Sequence, residues 1–169
     1  ERTTTMTTTT TQRTFRITSR STGADFGCFE AASELDALAT MHRDAGYDVT
    51  MDETGTELVW DDADDAALCG GLDVWRVQEV PAGVHHIDPG SMGAGWDDDT
   101  AAARDLASVL RTAYERLGWP VTVDVGYGRN DADSEISRVA DVAFEAFCGE
   151  SGDVEATVEA LESRGTIPA

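Results

Sequence analysis

Lysine is absent from this 169-residue chain, so all twelve of its cationic side chains are arginines, set against 33 Asp and Glu for a net charge of −21. A surface that negative repels nucleic acid and anionic lipid, which removes both from the direct partners expected of it. No apolar run approaches the roughly 18 residues of a membrane span. The N-terminus lacks the charged, apolar and small-residue stretches of a signal peptide, and a cytoplasmic protein is expected. Cysteine is scarce and odd in number: Cys28, Cys69 and Cys148 are too widely spaced for a Cys-x-x-Cys metal site and cannot build a disulfide framework. They are expected to be small buried thiols in a reducing compartment. There is no Gly-x-Ser-x-Gly elbow, no cysteine with a catalytic flanking signature and no phosphate loop. Gly126-Tyr-Gly128 lacks the spacing of a dinucleotide fingerprint and runs into acidic residues that would repel phosphate. A non-enzymatic protein without metal or cofactor is expected.

What the chain does contain is carboxylate, unevenly distributed. Arg2, Arg13, Arg16 and Arg20 face only Glu1 within residues 1–24, a local balance of +3 that leaves −24 for the remainder. Such a field attracts basic protein surfaces, with an on-rate that falls as salt screens it. A second origin gives the same composition: a GC-rich genome favours arginine and alanine over lysine and isoleucine, and a salt-loving host favours surface Asp and Glu.

Met6, followed by a threonine run, is expected to be the initiator, and residues 1–12 form a Thr-rich tail with too little to bury, expected to be disordered. A first module spans residues 13–80. Phe15 and Ile17 alternate with Arg16 and Thr18, which predicts a strand with one apolar and one cationic face. Turn residues Ser21–Asp25 lead to a returning strand, Phe26–Glu30, and Ser33 caps a helix with Leu35, Leu38, Ala39, His42 and Ala45 inward. Leu72–Val80 closes the module as a strand. Phe15-Arg-Ile-Thr18, Thr22-Gly-Ala-Asp-Phe-Gly27, Ser33–Leu38 with Arg43–Tyr47, and Val74–Val80 resemble a small uncharacterised domain of bacterial, phage and plasmid open reading frames. That resemblance implies a ββαβ-like unit with no catalytic residues to carry over, and Asp48–Asp65 departs from it as an insertion.

Residues 81–96, rich in Gly and Pro, read as a linker. A second module, 97–165, follows as helix, strand, helix, helix. Its elements are a helix to Leu117 stopped by Gly118 and Pro120, the strand Val121–Val125, a helix opened by Ser134, and a last helix Asp153–Ser163. The fold class expected is α+β, two small modules: a ββα(β) unit and a helix-rich unit.

His85-His-Ile-Asp88 is the sharpest metal-like cluster and would support a metal-dependent enzyme, but neighbouring strand residues point to opposite faces, and no metal is assigned. Asn130–Glu135 offers oxygens at alternate positions, yet Ile136 stands where a calcium loop needs glycine. The run is expected to cap the helix that follows. His42 is expected to be a hydrogen-bonded core histidine. Trp96, beside Asp97, Asp98 and Asp99 in a Gly-rich segment, is either a binding hot spot or a lid over the second module's core. Glu155, Glu159 and Glu162 make one carboxylate stripe at helical spacing and Asp141 with Glu145 another. With Trp96 and Asp97–Asp99, these are the residues expected to meet a basic surface, such as the nucleic-acid groove of a host enzyme. The chain is similar in charge and size, without a shared motif, to acidic anti-restriction and anti-CRISPR DNA mimics.

Overall fold

The computed structural model describes residues 11–130 and 133–169, so the expected disordered tail falls almost wholly outside the described residues. The chain divides between Glu79 and Val80 into two compact units, and the protein is α+β.

In the first unit, alternation makes Arg13–Ser19 a strand (β1) that buries Phe15 and Ile17 and turns Arg16 and Thr18 the other way. It pairs antiparallel with β2 (Asp25–Ala31), in register from Arg13↔Ala31 to Arg16↔Cys28. The register then slips by one residue, where Gly27 adopts a φ of +94° that a side chain would resist. On its other side β1 pairs with β5 (Trp75–Glu79), giving the order β2-β1-β5. This last strand begins later than predicted, because Gly70–Val74 form a turn closed by hydrogen bonds from Val74 and Trp75 N–H to Gly71 O.

Helix α1 (Glu34–Asp44) is capped by the Ser33 hydroxyl, which accepts from Asp36 N–H at 3.1 Å. It covers the apolar face of the sheet with Ala37, Leu38 and Met41, which cluster with Phe15, Ile17, Ala31 and Val77. The predicted stripe is rotated: Leu38, Ala39 and His42 are buried, but Leu35 is half-buried and Ala45 exposed. The predicted insertion folds as its own hairpin, β3 (Val49–Met51) with β4 (Leu58–Trp60), whose turn is held by Asp52 accepting from Thr56 and Glu57 N–H at 2.8 Å each. Helix α2 (Ala63–Cys69), capped by Asp62, follows.

The second unit corrects the linker reading. Residues 81–96 contain a strand, β6 (Gly83–Ile87), which pairs parallel with β7 (Val121–Val125) from Gly83↔Val121 to Ile87↔Val125. Five residues bracketed by Pro81, Pro89 and Gly90 look like loop in sequence, whereas their pairing partner lies beyond a 19-residue helix, α3 (Asp99–Leu117). The unit is therefore strand, helix, strand, helix, helix. Asp88 caps a short 3-10 turn, Pro89–Ser91, by accepting from Gly90 N–H at 2.9 Å. Helix α3 ends at Gly118 in the left-handed conformation, as predicted. Helices α4 (Ser134–Gly149) and α5 (Val154–Ser163) pack with α3 around one core centred on Leu106, Leu110, Tyr114, Ile136, Phe147 and Leu161. The Tyr114 hydroxyl donates to Ile136 O at 3.0 Å, and burial raises its pKa above the ordinary phenol value. No helix among the described residues is long and apolar enough to cross a membrane.

Of the three cysteines, only Cys69 is buried; Cys28 and Cys148 are exposed, contrary to the expectation of three buried thiols.

Candidate functional site

Many of the carboxylates have structural work. Asp62, Asp98, Asp133 and Asp153 each cap a helix, accepting backbone N–H groups that the first turn leaves unpaired. Asp25, Asp36, Glu79, Glu135, Glu145 and Glu162 pair with arginines. Twelve cations cannot neutralise 33 anions, which leaves a surplus of 21 carboxylate charges.

The predicted carboxylate stripes separate when placed on the fold. On α5, Glu155 and Glu159 are exposed, but Glu162 is half-buried and bonded to Arg116. On α4, Glu145 reaches Arg164 at 3.8 Å. Asp141 lies one turn earlier, at a cleft described below. The stripe of three is thus a pair, because the helix register that aligns Glu162 with its neighbours also brings it to α3. Asp97 and Asp99 are exposed, and Asp98 is the cap of α3, accepting from Thr100 and Ala101 N–H at 3.0 Å each.

Trp96 is a lid. Its indole stacks on Phe147 with ring centroids 5.2 Å apart, and its Nε1–H donates to Met92 O at 3.2 Å. Gly152, at a φ of +81°, lies so close beneath it that an added Cβ would come within 2.7 Å of the indole. Of the two roles open to Trp96 in sequence, the packing supplies the core cover.

A cleft of about 220 Å³ opens at the C-terminal end of β6, lined by His85, His86 and Ser91, by Asn130, and by Asp141 and Phe144 of α4. Both histidines contribute to it, although strand alternation predicts that they diverge. Beside them the Asn130 side chain docks on the β6 backbone, accepting from His86 N–H at 2.6 Å and donating to His86 O at 3.1 Å. Gly128 is required by the same packing, since a Cβ there would stand within 2.5 Å of the His86 ring. Burial pushes His85 below its ordinary value, the adjacent His86 adds to this, and Asp141 opposes both. His85 Nδ1 is buried without a hydrogen-bond partner among the described residues. Asp88, the proposed carboxylate of a metal-binding His-His-x-Asp cluster, is instead the cap of the 3-10 turn. Among the described residues no three His, Cys, Asp or Glu side chains gather as a metal would need.

Asn130→Ala is expected to remove both bonds to His86 and to speed hydrogen exchange at the His86 amide by about tenfold or more, read by NMR, with a loss of roughly 1–2 kcal/mol in stability. Unchanged exchange would show that the strand edge holds without it.

His42 is buried, as expected, and hydrogen-bonds to the Gly70 backbone, whereas its Nε2 has no hydrogen-bond partner among the described residues; its ring neighbours are Tyr47, Trp60 and Trp75. Burial lowers its pKa, so the neutral form belongs to the fold.

Comparison of the chain with protein-family models, with curated proteins and with solved structures finds no match.

Proposed function

We propose that this chain is an acidic, non-enzymatic interaction protein that binds a basic protein surface, and that the nucleic-acid groove of a DNA-handling or defence protein is the surface it fits. The observation that carries the reading is the surplus of 21 carboxylates over arginines. A surplus of that size lowers the stability of the compact state through self-repulsion and is relieved when a cationic surface binds. Glu155 and Glu159, one turn apart on α5 and both exposed, stand about 5–6 Å apart at Cβ, which lets them take Arg and Lys contacts otherwise made to phosphates.

The test is a titration against a panel of basic DNA-binding enzymes at two ionic strengths, with duplex DNA as competitor. The expected result is salt-sensitive binding that DNA displaces. Glu155→Gln with Glu159→Gln should weaken it by about tenfold, while Asp61→Asn with Asp64→Asn should weaken it only two- to threefold, by reducing the long-range field. Equal losses from both patches would remove α5 as the phosphate-like face. No binding to any basic enzyme, with melting temperatures that rise steeply in salt for every variant, would assign the charge to salt adaptation.

A further inference from the structure

The outer face of the β1-β5 pair carries the opposite charge, while β2 places Asp25 and Glu30 on its side of the same face. Phe15, Ile17 and Val77 point into the core, so Arg16 and Thr18 of β1 and Arg76 and Gln78 of β5 share the solvent side. In this register Thr18 sits opposite Arg76 and Arg16 opposite Gln78. Together with Ser19, Arg20 and Gly23 they line a polar cleft of about 330 Å³. Three of the chain's twelve arginines converge here, in a chain with 33 carboxylates to compete for them.

The three are not equivalent. Arg16 is neutralised in place by Asp25, which accepts from Nη2 at 2.7 Å and from Nε at 3.2 Å. The mutual pairing raises the pKa of Arg16 and lowers that of Asp25. Among the described residues Arg20 is held only through Nε, which donates to Leu72 O at 2.9 Å and Trp75 O at 3.2 Å and leaves its two terminal nitrogens available. The Arg76 guanidinium has no hydrogen-bond or ion-pair partner among the described residues. Among the described residues neither the Thr18 hydroxyl nor the Gln78 amide makes a side-chain hydrogen bond. The cleft therefore holds two uncompensated cations with a free hydroxyl and a free amide. Diagonal neighbours across an antiparallel pair stand roughly 7–8 Å apart, so one small anion can reach donors on both strands.

We infer that this cleft is a binding site for a phosphate dianion, free or carried by a small phosphorylated molecule. Two uncompensated guanidinium groups match two negative charges, and planar guanidinium forks suit phosphate oxygens. A carboxylate supplies half that charge. The volume lies at the lower end of small-molecule sites, with room for a phosphate and a compact substituent. The −21 net charge works against a polyanion such as nucleic acid, whose many phosphates feel the whole field, and far less against one dianion at a local cationic cleft. The inference stands on the arginine face alone and is independent of the proposed binding to basic surfaces.

The experiment is NMR titration of the full chain, in a buffer free of polyvalent anions, with inorganic phosphate, ribose 5-phosphate, a nucleoside monophosphate and a ten-nucleotide single strand, using chloride at matched ionic strength as the control. Phosphate-bearing ligands are expected to shift the Thr18, Arg76 and Gln78 amides, and chloride is not. Arg76→Gln, a change at an exposed side chain that makes no hydrogen bond or ion pair among the described residues, should weaken binding by about tenfold or more with no change in melting temperature. Tighter binding of the phosphorylated small molecules than of inorganic phosphate identifies a substituent pocket; equal affinity identifies free phosphate as the ligand. No shift with any phosphate, an undiminished affinity in Arg76→Gln, or preference for the oligonucleotide would overturn the inference.

Discussion

Trp96→Ala is expected to lower the stability of the second unit by about 3 kcal/mol, toward the low end of the range for removing a large core aromatic because Trp96 is only half-buried. The substitution removes the ring stacked on Phe147, opens space above Gly152 and strands Met92 O without its indole donor. For a unit of about 90 residues that loss corresponds to a fall in melting temperature on the order of 10–20 °C. Thermal unfolding followed by near-UV circular dichroism checks it. Gly152→Ala should act in the same direction by a different route, since it combines a forced positive φ with a collision against the indole. A Trp96→Ala protein that melts like the unmodified chain while losing affinity for a basic partner would instead make Trp96 a binding anchor.

Phe15→Ala carries the second large expected effect, a loss of about 3–4 kcal/mol in the first unit. Phe15 is fully buried in a cluster of only seven buried residues, so little remains to collapse into the cavity. Phe26→Ala, on the neighbouring strand, should change stability by less than about 1 kcal/mol, because Phe26 is 48% exposed and meets Trp75 only edge to face. Urea unfolding of the two variants reads the contrast. Similar losses from both would mean that the β2 edge, with its bulge at Gly27, contributes as much to the core as the strand facing α1.

Strong local periodicity was legible without coordinates. The strand around Phe15 and Ile17, the cap at Ser33 and the stop at Gly118 follow from patterns within one turn or one strand. The strand Gly83–Ile87 was hidden because a parallel pair is defined by a partner outside any local window, and turn-forming residues crowd both of its ends. The helical face of α1 was rotated for a related reason. Spacing alone identifies an apolar stripe, but the sheet that meets it selects which flank becomes the centre.

The candidate sites divide along the same line. By itself, the sequence determined the surplus charge, the scarcity of chemistry-bearing motifs and the placement of Arg16 and Thr18 opposite Phe15 and Ile17, since composition and strand alternation are local properties. Only the tertiary structure decided which charged groups remain available. Glu162 is taken by Arg116 and Glu145 by Arg164 across helix contacts, whereas Arg76 is brought beside Thr18 and Arg20 by pairing two strands separated by most of the first unit. The same holds for the His85–His86 pair and Asp141, distant in sequence and brought to one cleft, where Asn130 fastens the edge of the strand that carries the histidines. Pairing is a through-space property with steep distance dependence, and the distances come from packing rather than from residue order.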